Sequence, residues 1–142
     1  VLSLLLSFAI VALLKRVLPA ECPWDLQQFG GNLPFIGVFA DRPAAMHPTQ
    51  CFPAGHASVG YAWVALYFYF LPVCARKARI GLTPGLLLGL LLGVTQQLRG
   101  AHFFSHDLTT LWLCWVVSSL VYLTYPNSMA EVSETSREQH YV

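Results

Sequence analysis

The chain reads as an all-α protein, an antiparallel bundle of membrane helices. Three observations carry that reading. Of its 142 residues, 56% are hydrophobic and only 11% charged, where soluble domains carry about 25% charged residues. The apolar residues gather into four runs, 1–14, 57–74, 82–98 and 108–125, each near the length of helix that crosses hydrocarbon. No Asp, Glu, Lys or Arg falls inside any of them.

The first run, VLSLLLSFAIVALL, ends at Lys15-Arg16 and Pro19. A secretory signal has its positive charges before the apolar stretch rather than after it. The chain begins on Val, already inside an apolar run, so further N-terminal helices are expected to precede it. Residues 20–56 form a long loop containing CPWD at 22–25, Gly30-Gly31 and prolines at 34, 43, 48 and 53. A loop of that length is usually functional or disordered. Its aromatic content argues against disorder, so short helical turns lying on the membrane surface are expected. Cys22 and Cys51 flank this loop and can pair if it faces an oxidising compartment. The absence of any CxxC argues against a zinc-ribbon pattern.

The run 57–74 carries Tyr61, Trp63, Tyr67 and Tyr69. Arg76, Lys77 and Arg79 follow in what reads as a short connection, cytoplasmic by the positive-inside rule. In the third run Gly85, Gly89 and Gly93 recur every four residues, a spacing that lets helices approach closely in lipid. The fourth run holds Trp112 and Trp115, and residues 126–142 form a polar tail read as cytoplasmic and mobile. Domain organisation is therefore a single membrane domain, 1–125, with a tail.

With 76–79 inside, the stretches 20–56 and 99–107 share the outer face. That face collects Lys15, Arg16, Asp25, Asp41, Arg42, His47, His56, Arg99, His102, His106 and Asp107. Lys15 and Arg16 lie there against the charge bias, which points to a task other than topology. The net charge of +1 and the lack of a basic stripe exclude nucleic acid as a partner. Cations with several histidines suit a phosphate head group. Lys and Arg hold its oxygens, one His attacks phosphorus and another protonates the leaving oxygen. This chemistry needs no cofactor and no metal. The turn Cys51-Phe52-Pro53-Ala54-Gly55-His56 fits such a role. Gly55 lets backbone come close to a ligand, and a helix start there favours an anion. The alternative is a helix cap with an incidental His. His102 and His106, four apart, would share a helix face and offer a zinc reading. The usual HExxH pattern places Glu after the first His, and Phe103 stands there instead.

These residues together resemble the type 2 phosphatidic acid phosphatase family, which shares its site with vanadium haloperoxidases. The family motifs are KxxxxxxRP, PSGH and SRxxxxxHxxxD. The second corresponds to Pro53-Ala54-Gly55-His56. The first begins at Lys15 and ends on Cys22-Pro23, so cysteine replaces arginine, with Arg16 or Arg42 as spatial substitutes. The third corresponds to the segment from Gly100 to Asp107. With His102 as nucleophile, the family arginine falls on Gln96 and the orienting aspartate on His106. With His106, Arg99 lies seven residues before and the orienting position is Thr110. His102 is favoured, with Asp107 or His106 reaching its far nitrogen. The resemblance implies His56 as general acid, and Lys15, Arg99, Gly55 and Ala54 as the phosphate cradle. It implies four of six membrane helices in this sequence. It further implies a lipid phosphate or diphosphate phosphatase or phosphotransferase at the outer face of a bacterial-type inner membrane. A non-catalytic protein of the same fold that binds lipid phosphate head groups is the alternative.

Overall fold

A computed structural model describes residues 1–37, 39–41, 43 and 49–125. Arg42, His47 and the tail 126–142 lie outside the described residues. The described chain is helical, with no strand beyond the isolated bridges Ala20–Gln50 and Leu26–Leu33. Its helices are α1 (Leu2–Val17), α2 (Gly55–Tyr61), α3 (Ala65–Phe70), α4 (Ala75–Leu98) and α5 (Phe104–Thr124). The loop between α1 and α2 contains two short 3₁₀ turns, Pro23–Asp25 and Gln27–Phe29, as its composition suggested.

Three boundaries differ from expectation. The run 57–74 is not one helix: a 3₁₀ turn, Ala62–Val64, separates α2 from α3, which stops at Phe70. This turn lies where the backbone of Val64 meets Gly85, whose absent Cβ would sit 2.6 Å from the Val64 nitrogen. The cations Arg76, Lys77 and Arg79 are not in a connection but in the first turns of α4, because Ala, Arg and Lys are strong helix formers. The true connection is Leu71–Cys74. Likewise α5 starts at Phe104, so His106 and Asp107 belong to its first turn.

Close packing rests on the glycines. Gly81, Gly85, Gly89 and Gly93 are all buried along one face of α4. A Cβ on Gly89 would lie 2.1 Å from the Tyr61 ring, and one on Gly60 would lie 2.1 Å from the Gly89 nitrogen. Any side chain there would force α2 and α4 apart, the overpacking that costs about 1–3 kcal/mol or more. Around this seam sit Ala54, Ala57, Tyr61, Ala62, Val64 and Cys114, all buried. At the far end Tyr67, Phe68, Trp115 and Tyr122 form an aromatic cluster with ring centroids 5.0–5.8 Å apart.

The outside is the inverse of a water-soluble surface. Small residues face in, while Leu87, Leu91 and Trp112 are 62%, 63% and 62% exposed. Two helices, α4 and α5, are long and apolar enough to cross a membrane.

The helices alternate in direction. The end of α1, the start of α2, the end of α4 and the start of α5 therefore meet at one end of the bundle. The start of the loop that follows α1 is tied to that end by Trp24 N–H donating to the Gly100 carbonyl (2.9 Å). Cys22 and Cys51 form a disulfide with Cα atoms 5.2 Å apart. Beside it, Ala20 and Thr49 pair through backbone and hydroxyl hydrogen bonds, and Cys51 N–H donates to Ala20.

Candidate active site

The site is assembled by three local structures, each with a sequence cause. The first is the end of α4. Gly100 adopts φ +72°, the left-handed geometry open to glycine. Ala101 N–H then reaches back to the Gln96 carbonyl and Gly100 N–H to that of Gln97, both at 2.9 Å. This is the Schellman closure of a helix, and it turns the chain inward so that His102 is buried. The second is the turn into α2, through a cis Phe52–Pro53 bond, with Ser58 Oγ donating to the Gly55 carbonyl. The third is Thr110 on α5. It is fully buried and its Oγ1 accepts the Ala54 N–H at 3.0 Å while lying 2.9 Å from the His106 carbonyl. One hydroxyl thus locks the 53–56 turn to the start of α5.

These elements bring Lys15, Gly55, His56, His102 and His106 together. Lys15 Nζ lies 3.6 Å from where a Gly55 Cβ would stand, so a larger residue would crowd the ammonium. The His102 and His106 rings are 5.7 Å apart. His102 is not on the helix, as its spacing suggested, but two residues before it. The rings still meet because the chain enters α5 through extended Phe103. The edges of Phe52 and Phe103 flank His106 at 5.2 and 5.3 Å. The Cys51 carbonyl lies within hydrogen-bonding reach of both imidazoles. Among the described residues, neither histidine's Nδ1 finds a partner. Burial foremost, then the Lys15 charge, pushes His102 down to about 4, with the Cys51 carbonyl opposing and His56 adding to the shift. At neutral pH its imidazole is therefore uncharged.

Residues 1–130 match the family model described as the PAP2 superfamily. The chain belongs to the PAP2 superfamily. Its members are phosphatases, so the activity class that comes with membership is hydrolysis of phosphate esters. No curated relative and no solved structure matches the chain.

Within this PAP2 chain the other expected site residues are placed unevenly. His56 is exposed at the start of α2, near enough for its charge to act on His102. Asp107 is buried and accepts from Gln97 Nε2. Gly93 makes room for it, since a Cβ there would lie 2.7 Å from Oδ2. Ala54 is fully buried and its N–H is already given to Thr110. Arg99 is exposed, with its guanidinium 3.3 Å from Gln96 Oε1. It shares a hollow with His102, Trp24 and Phe29. Arg16 is exposed, and Cys22 is committed to the disulfide. Among the described residues no three His, Cys, Asp or Glu side chains converge as a metal cage requires.

Four participants escaped sequence reasoning. The Cys51 carbonyl carries no side-chain signal. Gln97 and Glu21 were hidden beside the residues that the motifs name. Gly93 was read for helix contact alone; that it accommodates the Asp107 carboxylate, fourteen residues on, is visible only in three dimensions.

Proposed function

We propose that this PAP2 protein is a membrane phosphatase or phosphotransferase for lipid phosphates or diphosphates, acting through a phosphohistidine. The observation that carries the proposal is the convergence of Lys15, Gly55, His56, His102 and His106 at one end of a bundle with an apolar exterior. Neutral His102 attacks phosphorus as the bond to the leaving oxygen breaks. Protonated His56 gives that oxygen its proton. Lys15 neutralises charge on the phosphoryl oxygens. Water then attacks the phosphohistidine, His56 takes the water's proton, and phosphate leaves with the His102 lone pair restored. His106, whose ring lies 5.7 Å from that of His102, and Asp107, which accepts from Gln97, are assigned to orienting the nucleophile, and exposed Arg99 to the phosphoryl group. Gly55 supplies the close approach, and Ala54 is its buried support.

The apolar exterior supports four membrane crossings here, α1, the α2–α3 unit, α4 and α5, as part of a six-helix core. The cations at the start of α4 support a cytoplasmic position for that end. The site then lies at the outer face of a bacterial-type inner membrane, and the disulfide agrees with an oxidising compartment.

The test is phosphate release from phosphatidic acid, phosphatidylglycerol phosphate, undecaprenyl diphosphate and lipid A phosphate by purified protein without added metal. Full activity in a His56→Ala, His102→Ala double variant would end the proposal. A second reading, a non-catalytic binder of lipid phosphate head groups, draws on Cys22 at the arginine position and on the outward Arg99. Binding of vanadate without turnover of any lipid would favour it.

A further inference from the structure

A hollow of about 420 Å³ lies beside His106, on the side flanked by Phe52 and Phe103. Its volume is within the range of small-ligand pockets. Its lining is mixed: Ala20, Phe35 and Ile36 add apolar wall, and Glu21, Gln28 and Ser105 add polar groups that an alkyl chain would leave unused. Glu21, only 4% exposed, contributes a carboxyl group to its depth. Gln28 and Ser105, both exposed, stand at its rim. The Phe52 and Phe103 rings that touch His106 form part of its wall. Lys15 is not among its lining residues, so the cation that suits a phosphoryl group lies elsewhere in the site.

The chemistry of that lining selects its occupant. A carboxylate has acceptor oxygens only, about four lone-pair positions, enough to serve the protein and a ligand at once. An amide and a hydroxyl add both donors and acceptors. Aromatic rings cover C–H surface. A group with several hydroxyls on a short carbon frame meets all three needs. A second phosphoryl group can accept from the amide and the hydroxyl but brings its acceptors and negative charge to the Glu21 carboxylate, and it covers no aromatic surface.

Resting on the phosphatase reading above, we infer that this hollow is the leaving-group subsite and that it takes a hydroxyl-bearing alcohol, a polyol or sugar, with Glu21 accepting from its hydroxyls. The substrate class narrows to phosphate monoesters of hydroxylated head groups. Glu21 is then a specificity determinant placed next to the catalytic histidines by the Cys22–Cys51 disulfide that follows it. Sites built to hydrogen-bond a substrate hydroxyl discriminate strongly against analogues that lack it, and a charged acceptor bonds about twice as strongly as a neutral one.

The experiment compares kcat/KM for phosphatidylglycerol phosphate, whose leaving group keeps a free hydroxyl, with that for phosphatidic acid, whose leaving group has none. Both are presented in mixed micelles to the full chain. The expected result is a preference of at least about tenfold for the hydroxylated lipid, falling about tenfold in Glu21→Gln and several-fold in Ser105→Ala. Glycerol 1-phosphate serves as the soluble counterpart. A Glu21 effect of equal size on it assigns the subsite to free polyol phosphates, and an effect confined to the lipid assigns it to head groups. Titration of tryptophan fluorescence with the same two lipids provides an arm without turnover. If nothing is hydrolysed but a tenfold binding preference remains, the phosphatase reading fails and the subsite stands. Equal kcat/KM and equal binding for the two lipids, or a preference unchanged in both variants, overturns the subsite.

Discussion

The disulfide offers the sharpest test of how the loop serves the site. Replacing Cys22 and Cys51 by Ser, or reducing them, removes a link between residues 29 apart in sequence. Chain-entropy arithmetic for a closed loop of that size gives about 3.6 kcal/mol at 25 °C. If that is spent on opening the 20–54 loop, the open form gains a few hundredfold, since each 1.4 kcal/mol is tenfold. Among its described residues the loop is also held by the Trp24–Gly100 hydrogen bond and the Ala20–Thr49 and Cys51–Ala20 pairings. The first loss is the Cys51 carbonyl, which acts on both His102 and His106. We expect the reduced protein to lose at least tenfold in kcat, with a smaller change in KM, and to unfold at lower temperature in detergent. The assays are phosphate release with and without dithiothreitol, thermal unfolding, and a thiol count on denatured, unreduced protein. That count should find only Cys74 and Cys114 free. Four free thiols, or undiminished kcat after complete reduction, would refute the argument.

Two further outcomes follow from the geometry. His102 titrates near 4 instead of its usual 6.5. Its neutral form is thus favoured by folding. The stability it contributes is present above about pH 6.5, where both states are neutral, and is lost as pH falls toward 4 while the unfolded chain takes up its proton first. Nucleophilic competence should persist to about pH 4, checked by the acid limb of kcat/KM and by an NMR titration of the His102 ring; titration at 6 or above contradicts it. Thr110→Val leaves the buried Ala54 N–H without its acceptor, which costs about 1–3 kcal/mol. Thr109→Val, which gives up a more exposed bond to the Ser105 carbonyl, should cost under about 1 kcal/mol by the same thermal measurement.

Much of this protein is present in the linear pattern. Charge-free apolar runs read as helices because a bundle in lipid satisfies its backbone only within each helix, and that constraint leaves its mark residue by residue. The turn at Pro53-Ala54-Gly55-His56 and the glycines every four residues in α4 are equally local. The sequence offered the pairing of Cys22 with Cys51 only on the condition of an oxidising compartment, and the structure shows it. Helix boundaries were less visible. The cations at 76–79 read as a connection since charge marks topology, yet their helix propensity carried α4 through them. The 3₁₀ turn at Ala62–Val64 has no signal in its own residues; what marks its place is contact with Gly85, on another helix.

What the sequence by itself determined is which residues gather at one end of the bundle, Lys15, the 53–56 turn, two histidines and a carboxylate, through the alternation of helices. Only the tertiary structure decided how they are used. It put Arg99 at the surface and Gln97 on Asp107, gave the Ala54 N–H to Thr110, set the Cys51 carbonyl against both imidazoles and opened a Glu21-lined hollow beside His106. Those choices depend on the direction in which each side chain leaves its backbone. That direction is set by the Schellman turn at Gly100, by the disulfide and by the close crossing of α2 and α4, which are contacts between residues far apart in the chain.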